Sequence, residues 1–176
     1  MKKRVLSSKS NLGIDLKDII LGGQDGLVNI LGLVLGVAAA TYTNKIVIIS
    51  GLAGTFAESI SMAAVAYTST QAAKGYYISR RIKIPKENSS PEHSAVVVGF
   101  SSFFGSLIPL LPFFFLNVLN AIIVALLLSL LALYITGYYK AKITVGTPSK
   151  EGLKLASIGV GAALVGYFIG LVLGAL

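Results

Sequence analysis

Long apolar runs, separated by short polar links, cover the chain from residue 19 to its end. A membrane-spanning helix needs about 20 mainly apolar residues. The third and fourth runs form one apolar block, which Pro109 and Pro112 divide because proline interrupts the helical hydrogen-bond ladder. The pattern therefore predicts an all-α membrane protein with five transmembrane helices, at 19–42, 45–73, 94–111, 112–138 and 153–176.

The polar segments predict a simple organisation. Residues 1–16 form a basic N-terminal segment, and 17–176 form one transmembrane domain whose longest connector is 75–93. The first nine residues are polar and basic and precede no short apolar stretch with a cleavage site, so we expect no cleavable signal peptide. Without a targeting segment, the cell membrane is the expected location, and a vacuolar or other organelle membrane is the alternative.

Composition excludes several classes of protein. The chain is 55% hydrophobic and 12% charged, whereas soluble domains are about a quarter charged. This excludes a soluble enzyme and a disordered tail. The absence of cysteine and the single histidine, His93, exclude thiolate and multi-histidine metal sites within one chain. The spans contain no Ser/His or paired-Asp arrangement, so we predict that the protein is not an enzyme.

The basic residues predict the orientation. Fourteen of the fifteen Lys and Arg residues precede the first span or lie in or beside the second–third and fourth–fifth links, and only Lys45 lies on the other side. The positive-inside rule then places the N-terminus in the cytoplasm and, with five spans, the C-terminus outside. The net charge of +8 thus reflects topology, and we expect no nucleic-acid partner.

Asp25 is the first ionisable residue that lies well inside a span. Its neighbours Gly22, Gly23 and Gly26 are small, and Asn29 follows four residues later on the same helix face. Ionisable residues within spans cost roughly 2.5–3.5 kcal/mol and usually have a partner or a function. Asp25 either hydrogen-bonds a neighbouring helix or lines a cation path, and we favour the path because packing requires no charge.

Glu58 lies near the middle of the second span, with Met62 four residues later on the same face. A hard carboxylate and a soft thioether together suit a borderline divalent ion such as Fe(II) better than Mg²⁺ or Ca²⁺. A carboxylate at this depth can also carry a proton. A protonated Glu58 in an interhelical hydrogen bond is the alternative.

For the other polar residues we expect solvent exposure or hydrogen bonding rather than metal binding. Asp18 and Lys17 are expected to be solvated at the start of the first helix. Three serines of the third span are expected to form interhelical hydrogen bonds, and three connector residues to be solvated rather than to collect metal. These residues are Ser101, Ser102 and Ser106, and Glu87, Glu92 and His93.

Four collinear motifs are similar to those of the vacuolar iron transporter family. GGQDGLV at 22–28 resembles the first-helix signature, and GLA at 51–53 with AESISMA at 57–63 resembles the second. GSLIPLLP at 105–112 resembles the end of the third helix, and 136–161 resembles the fourth–fifth helix region.

The resemblance implies a homodimer of five-helix protomers in the lipid bilayer, with a metal path near the subunit interface. It implies export of Fe(II) and often Mn(II) from the cytosol in exchange for protons, with Asp25 and Met62 lining the path. The metal is cargo, and no permanently bound cofactor is expected. We therefore predict a metal site at Asp25, Asn29, Glu58 and Met62, with proton coupling at Asp25 and Glu58.

Two departures from the family pattern leave an alternative open. Family members commonly carry second-helix acids at the positions of Gly54 and Ala66, whereas this chain has Glu58 on the same face. Plant and yeast members also have a Glu-rich metal-collecting region between helices 2 and 3, where this chain has only 75–93. A membrane scaffold or interaction domain that keeps the fold without transport is therefore the alternative to an exporter.

Overall fold

The computed structural model describes residues 2–85 and 90–175, with side chains from residue 16 onward. The described residues form helices and no strand. Five of the helices are long and apolar enough to cross a membrane, which confirms the predicted fold class. The helices are α1 (Lys2–Thr41), α2 (Asn44–Ser79), α3 (Pro91–Leu110), α4 (Pro112–Phe115), α5 (Val118–Ile143) and α6 (Pro148–Gly174).

Helix α1 lies at the centre of the bundle and packs against α2, α3, α5 and α6. Its glycines bring the neighbouring backbones very close. A Cβ atom on Gly36 would lie 2.8 Å from the carbonyl oxygen of Gly166 in α6, and one on Gly26 would lie 2.6 Å from the Ser106 hydroxyl in α3. Small residues at helix crossings permit this approach in membranes, where close packing rather than water exclusion holds helices together.

The fourth span begins later than predicted. Pro112 starts only one helical turn, α4, and the backbone is extended at Leu116 and Asn117 before α5 starts at Val118. The Asn117 side chain accepts a hydrogen bond of 3.1 Å from the backbone N–H of Asn120, so an asparagine cap starts this span. The prediction of a span start at residue 112 was wrong because it overlooked this cap.

The link between α2 and α3 is shorter than predicted. Helix α2 continues to Ser79 and α3 begins at Pro91, so both ends of the expected connector 75–93 are helical. Glu87 lies outside the described residues. The division into segment 1–16 and domain 17–176 stays a prediction.

The basic residues collect at one end of the bundle, which we call the basic end. The start of the α1 span lies beside the end of α5, where Lys17 and Lys140 line one cleft, and Lys154 of α6 lies close by. At the other end, Asn44 donates a hydrogen bond of 2.6 Å to the Leu116 carbonyl, next to the exposed Lys45. This arrangement agrees with the charge count, and the orientation in a membrane stays a prediction.

Candidate metal site

Gly54 of α2 faces α1 at the crossing of the two helices. A Cβ atom there would lie 2.6 Å from Leu33 Cδ2 and 2.9 Å from Ile30 Cδ1, so the missing side chain lets the two helices approach. Glu58 follows one turn later on the same face of α2. The glycine thereby brings the Glu58 carboxylate within reach of α1.

Asn29 joins the two intramembrane acids. Its side-chain Nδ2 donates a hydrogen bond of 2.9 Å to Glu58 Oε1 and one of 3.3 Å to Asp25 Oδ2. Both carboxylates therefore accept from the same amide nitrogen. The structure thus brings together three of the four predicted site residues, which we call the Asp25–Asn29–Glu58 cluster.

The cluster is suited to holding a cation or a proton. Two carboxylates that share one hydrogen-bond donor repel each other when both are ionised. A cation or a proton between them therefore reduces this electrostatic repulsion. The Asn29 amide donates to both acids through its nitrogen, which leaves its carbonyl oxygen as a further hard ligand. Oxygen ligands of this kind suit divalent cations.

Met62 lies apart from the three hydrogen-bonded residues. It is half-buried and one helical turn beyond Glu58 on the same face of α2, a rise of about 6 Å. Because α2 runs antiparallel to α1, Met62 lies on the side of Glu58 that faces the basic end, near the level of Asp25. Its inclusion as a ligand stays a prediction.

A single chain supplies an incomplete coordination shell. Among residues 16–85 and 90–175, no three His, Cys, Asp or Glu side chains gather where they could hold a metal ion. Asn29 is exposed and both acids are half-buried, so the cluster lies on the outer surface of the helix bundle. A bound ion would need further ligands from water or from another molecule.

The structure also explains the second-helix departure. Gly54 faces Leu33 and Ile30 across the crossing, and Ala66 is buried, so an acid at either position would lie in a tightly packed environment. Glu58 instead opposes Asn29, where it has a polar partner. That Glu58 is the relocated second-helix acid stays a prediction.

Asp18 differs most from its predicted environment. We expected a solvated carboxylate, but Asp18 is only 2% exposed, and within the described chain its Oδ2 atom has no hydrogen-bond partner. Helix α1 packs closely against α3 at Gly22, Gly23 and Gly26. Sequence reasoning missed this burial, although Asp18 stands four residues before Gly22, the first glycine of the α1–α3 contact.

The serines of α3 also differ from expectation. Ser102 and Ser106 are fully buried against Gly26, and within the described residues their hydroxyl oxygens have no hydrogen-bond partner. The prediction of interhelical hydrogen bonds was therefore wrong for these two serines, which act as small packing residues. Glu92 and His93 are exposed in the first turn of α3, as expected.

Proteins of known sequence resemble this chain over most of its length. An uncharacterised protein of Methanocaldococcus jannaschii is 26% identical over 165 residues, which cover 86% of each chain. Vacuolar iron transporter 1 of Eucalyptus grandis is 25% identical over 208 residues, which cover 86% of this chain and 84% of that protein. Vacuolar iron transporter 1 of Arabidopsis thaliana is 22% identical over 208 residues, which cover 86% and 83%.

The lengths of these alignments carry structural information. An alignment of 208 positions exceeds the 176 residues of this chain, so the plant proteins contain residues that have no counterpart here. The model of the VIT family matches 16–89 and 77–171. These two segments overlap at 77–89, around the link between α2 and α3. Since these segments include the Asp25–Asn29–Glu58 cluster, four complete spans and most of the fifth, the chain belongs to the VIT family, as an integral membrane protein.

Proposed function

We propose that this protein exports Fe(II) or Mn(II) from the cytosol in exchange for protons. The observation that carries the proposal is the Asn29 amide, which holds Asp25 and Glu58 together at the α1–α2 crossing, inside two membrane spans. Carboxylates within spans are costly and mark ion pathways or proton relays. Relatives named vacuolar iron transporters support the metal, and the basic end supports entry from the cytosol.

The two acids account for the proposed exchange. A divalent ion binding between them displaces the proton that otherwise relieves their repulsion. Release on the other side lets a proton return to the pair. Metal and proton therefore compete for the same carboxylates, which is the requirement for coupled movement in opposite directions.

Transport by reconstituted protein tests this proposal. Liposomes containing the purified chain are expected to take up Fe(II) at a rate that depends on an imposed pH gradient. Asp25→Asn and Glu58→Gln keep the shape of each side chain and remove its charge, and each should abolish the gradient-dependent uptake. Glu92→Gln, an exposed carboxylate at the start of α3, is the matched control and should transport normally. Equal uptake by wild type and both site variants would overturn the proposal.

The proposed transporter is a homodimer. The Asp25–Asn29–Glu58 cluster lies on the outer surface of one protomer, where lipid would leave it poorly solvated. Beside it, α2 exposes the small residues Ala53, Ala57 and Ser61 at a spacing of four, which favours close helix–helix packing in membranes. A second copy on this face would cover the acids and bring its own ligands to the ion.

A scaffold of the same fold without transport is the alternative function. The plant relatives have residues that this chain lacks, and one protomer brings only two carboxylates to the candidate site. Under this alternative, Glu58→Gln would raise the melting temperature, and Fe(II) would leave the melting temperature of the wild type unchanged. A transporter should instead be stabilised by Fe(II) through mass action.

The cell membrane is the proposed location, and an organelle membrane is the alternative. The VIT-family relatives carry the word vacuolar in their names, which is information about those proteins. Fractionation of host membranes with an antibody to the chain distinguishes the two locations.

A further inference from the structure

A cleft of about 350 Å³ opens at the basic end, between the start of the α1 span and the end of α5. This volume lies in the range of small-ligand sites. The cleft combines apolar and polar side chains, and it lies between α1 and α5, whereas the Asp25–Asn29–Glu58 cluster lies between α1 and α2. Its apolar residues are Leu16, Ile20 and Leu21, and its polar residues are Lys17, Gln24, Lys140 and Thr144.

The α1 side of the cleft is one helix face. Lys17, Leu21 and Gln24 stand at spacings of four and three, so they project in nearly the same direction. Lys17 lies outermost and Gln24 about 10 Å deeper along the axis. Within the described residues, neither side chain has a hydrogen-bond or ion-pair partner, although Gln24 is half-buried. Both donors are free to bind a ligand.

Lys140 brings a positive charge to the α5 side of the cleft, and two residues of the neighbouring helix α6, Glu151 and Lys154, lie beside it. Lys140 Nζ lies 3.4 Å from Glu151 Oε2, and Lys154 Nζ lies 3.9 Å from the other oxygen of the same carboxylate. One acid shared by two lysines leaves one positive charge in excess. Thr144 donates its hydroxyl to the Lys140 carbonyl, so it is not a donor to a ligand. Together with Lys17, the cleft therefore attracts an anion.

We propose that this cleft binds the phosphate headgroup of an anionic phospholipid. Lys17 and Lys140 contact the phosphate, Gln24 donates to the oxygens of the glycerol ester region, and the first acyl carbons lie on Leu16, Ile20 and Leu21. The cleft lies where two membrane spans end, which is the depth of lipid headgroups. Basic clefts between spans at this depth are typical of headgroup sites. The apolar side chains favour a lipid over a free phosphate ion, which would gain nothing from them.

Lipid binding to the purified protein tests the site. Delipidated protein in detergent is titrated with dioleoylphosphatidylglycerol or dioleoylphosphatidylcholine, and the dissociation constants are measured by native mass spectrometry. The anionic lipid should bind more tightly than the zwitterionic one. Lys17→Gln and Lys140→Gln should each weaken its binding by about fivefold, the factor expected for one lysine near the membrane surface.

Matched variants separate a specific cleft from general surface charge. Lys150→Gln removes the same charge from an exposed position at the basic end outside the cleft, and it should leave binding unchanged. Lys17→Arg keeps the charge and should retain binding, which guards against loss through misfolding. Equal weakening by Lys150→Gln, or equal affinity for both lipids, would overturn the proposal. Displacement of the lipid by millimolar inorganic phosphate would also overturn it, since the occupant would then be a free anion.

Discussion

The side-chain amide of Asn29 donates a hydrogen bond of 2.9 Å to the Glu58 carboxylate, and this bond joins α1 to α2 within the membrane. The same amide reaches Asp25, one turn earlier on α1, at 3.3 Å. One neutral residue thus sets the separation of two acids on different helices. Its removal should affect both the stability of the crossing and the function of the acids.

A double-mutant cycle on Asn29 and Glu58 measures the bond. Interhelical hydrogen bonds in membranes contribute about 0.6 kcal/mol on average and up to about 1.7 kcal/mol. We expect a coupling free energy in this range from Asn29→Leu, Glu58→Leu and the double variant in reversible detergent unfolding. A coupling indistinguishable from zero would show that the two side chains do not interact in the folded protein.

The methionine tests the chemistry of the path. Met62→Leu conserves volume, so the free energy of unfolding should change by less than about 1.5 kcal/mol. Because a thioether is a soft ligand, its loss should slow Fe(II) uptake more than uptake of the harder Mn(II). Uptake of each metal into liposomes, with the melting temperature as the stability control, checks this. Equal loss for both metals would remove Met62 from the set of selective ligands.

A single introduced cysteine tests the homodimer. The chain contains no cysteine, so Ala57→Cys supplies one thiol on the exposed face of α2 beside Glu58. If α2 packs against its copy, mild oxidation in membranes should produce a covalent dimer. Leu164→Cys, on the exposed face of α6, should remain monomeric in denaturing gels. Dimer formation by the α6 variant alone would place the interface elsewhere.

Two glycines of α6 should respond to alanine in opposite ways. A Cβ atom on Gly166 would lie 2.7 Å from the carbonyl carbon of Gly32, so Gly166→Ala should destabilise the fold by roughly 1–3 kcal/mol. Gly161 has no atom within 4 Å of such a Cβ, so Gly161→Ala should stabilise by about 0.5–1 kcal/mol through helix propensity. Detergent unfolding of both variants checks the signs, and destabilisation by Gly161→Ala would show that α6 packs on that face as well.

Asp18 should limit the stability of the fold. An unsatisfied buried polar group costs about 1–3 kcal/mol, and more when it is charged. Asp18→Asn removes the charge at nearly constant volume, so the melting temperature should rise by about 2–4 °C for each kcal/mol gained. Glu92→Gln removes a charge at an exposed carboxylate in the first turn of α3, so it is the matched control and should have little effect. A fall in the melting temperature of Asp18→Asn would indicate that the carboxylate has a stabilising partner.

Hydrophobic pattern and charge placement were enough to predict the helices and the candidate acids. Apolar runs of span length predicted five membrane helices, and isolated acids within such runs, Asp25 and Glu58, stood out because charge inside a membrane is costly. The i, i+4 spacing of helices also placed Asn29 beside Asp25, as the structure confirms. These inferences depend only on local composition and on the periodicity of one helix.

Relations between helices required the tertiary structure. The burial of Asp18, the Asn29–Glu58 bond, and the packing of Ser102 and Ser106 on Gly26 depend on which helix faces meet. A sequence periodicity gives the faces of one helix but neither its neighbours nor its rotation against them. In the bundle, the neighbours of a helix and its rotation against them are fixed at the glycines, because two backbones approach most closely where a side chain is missing.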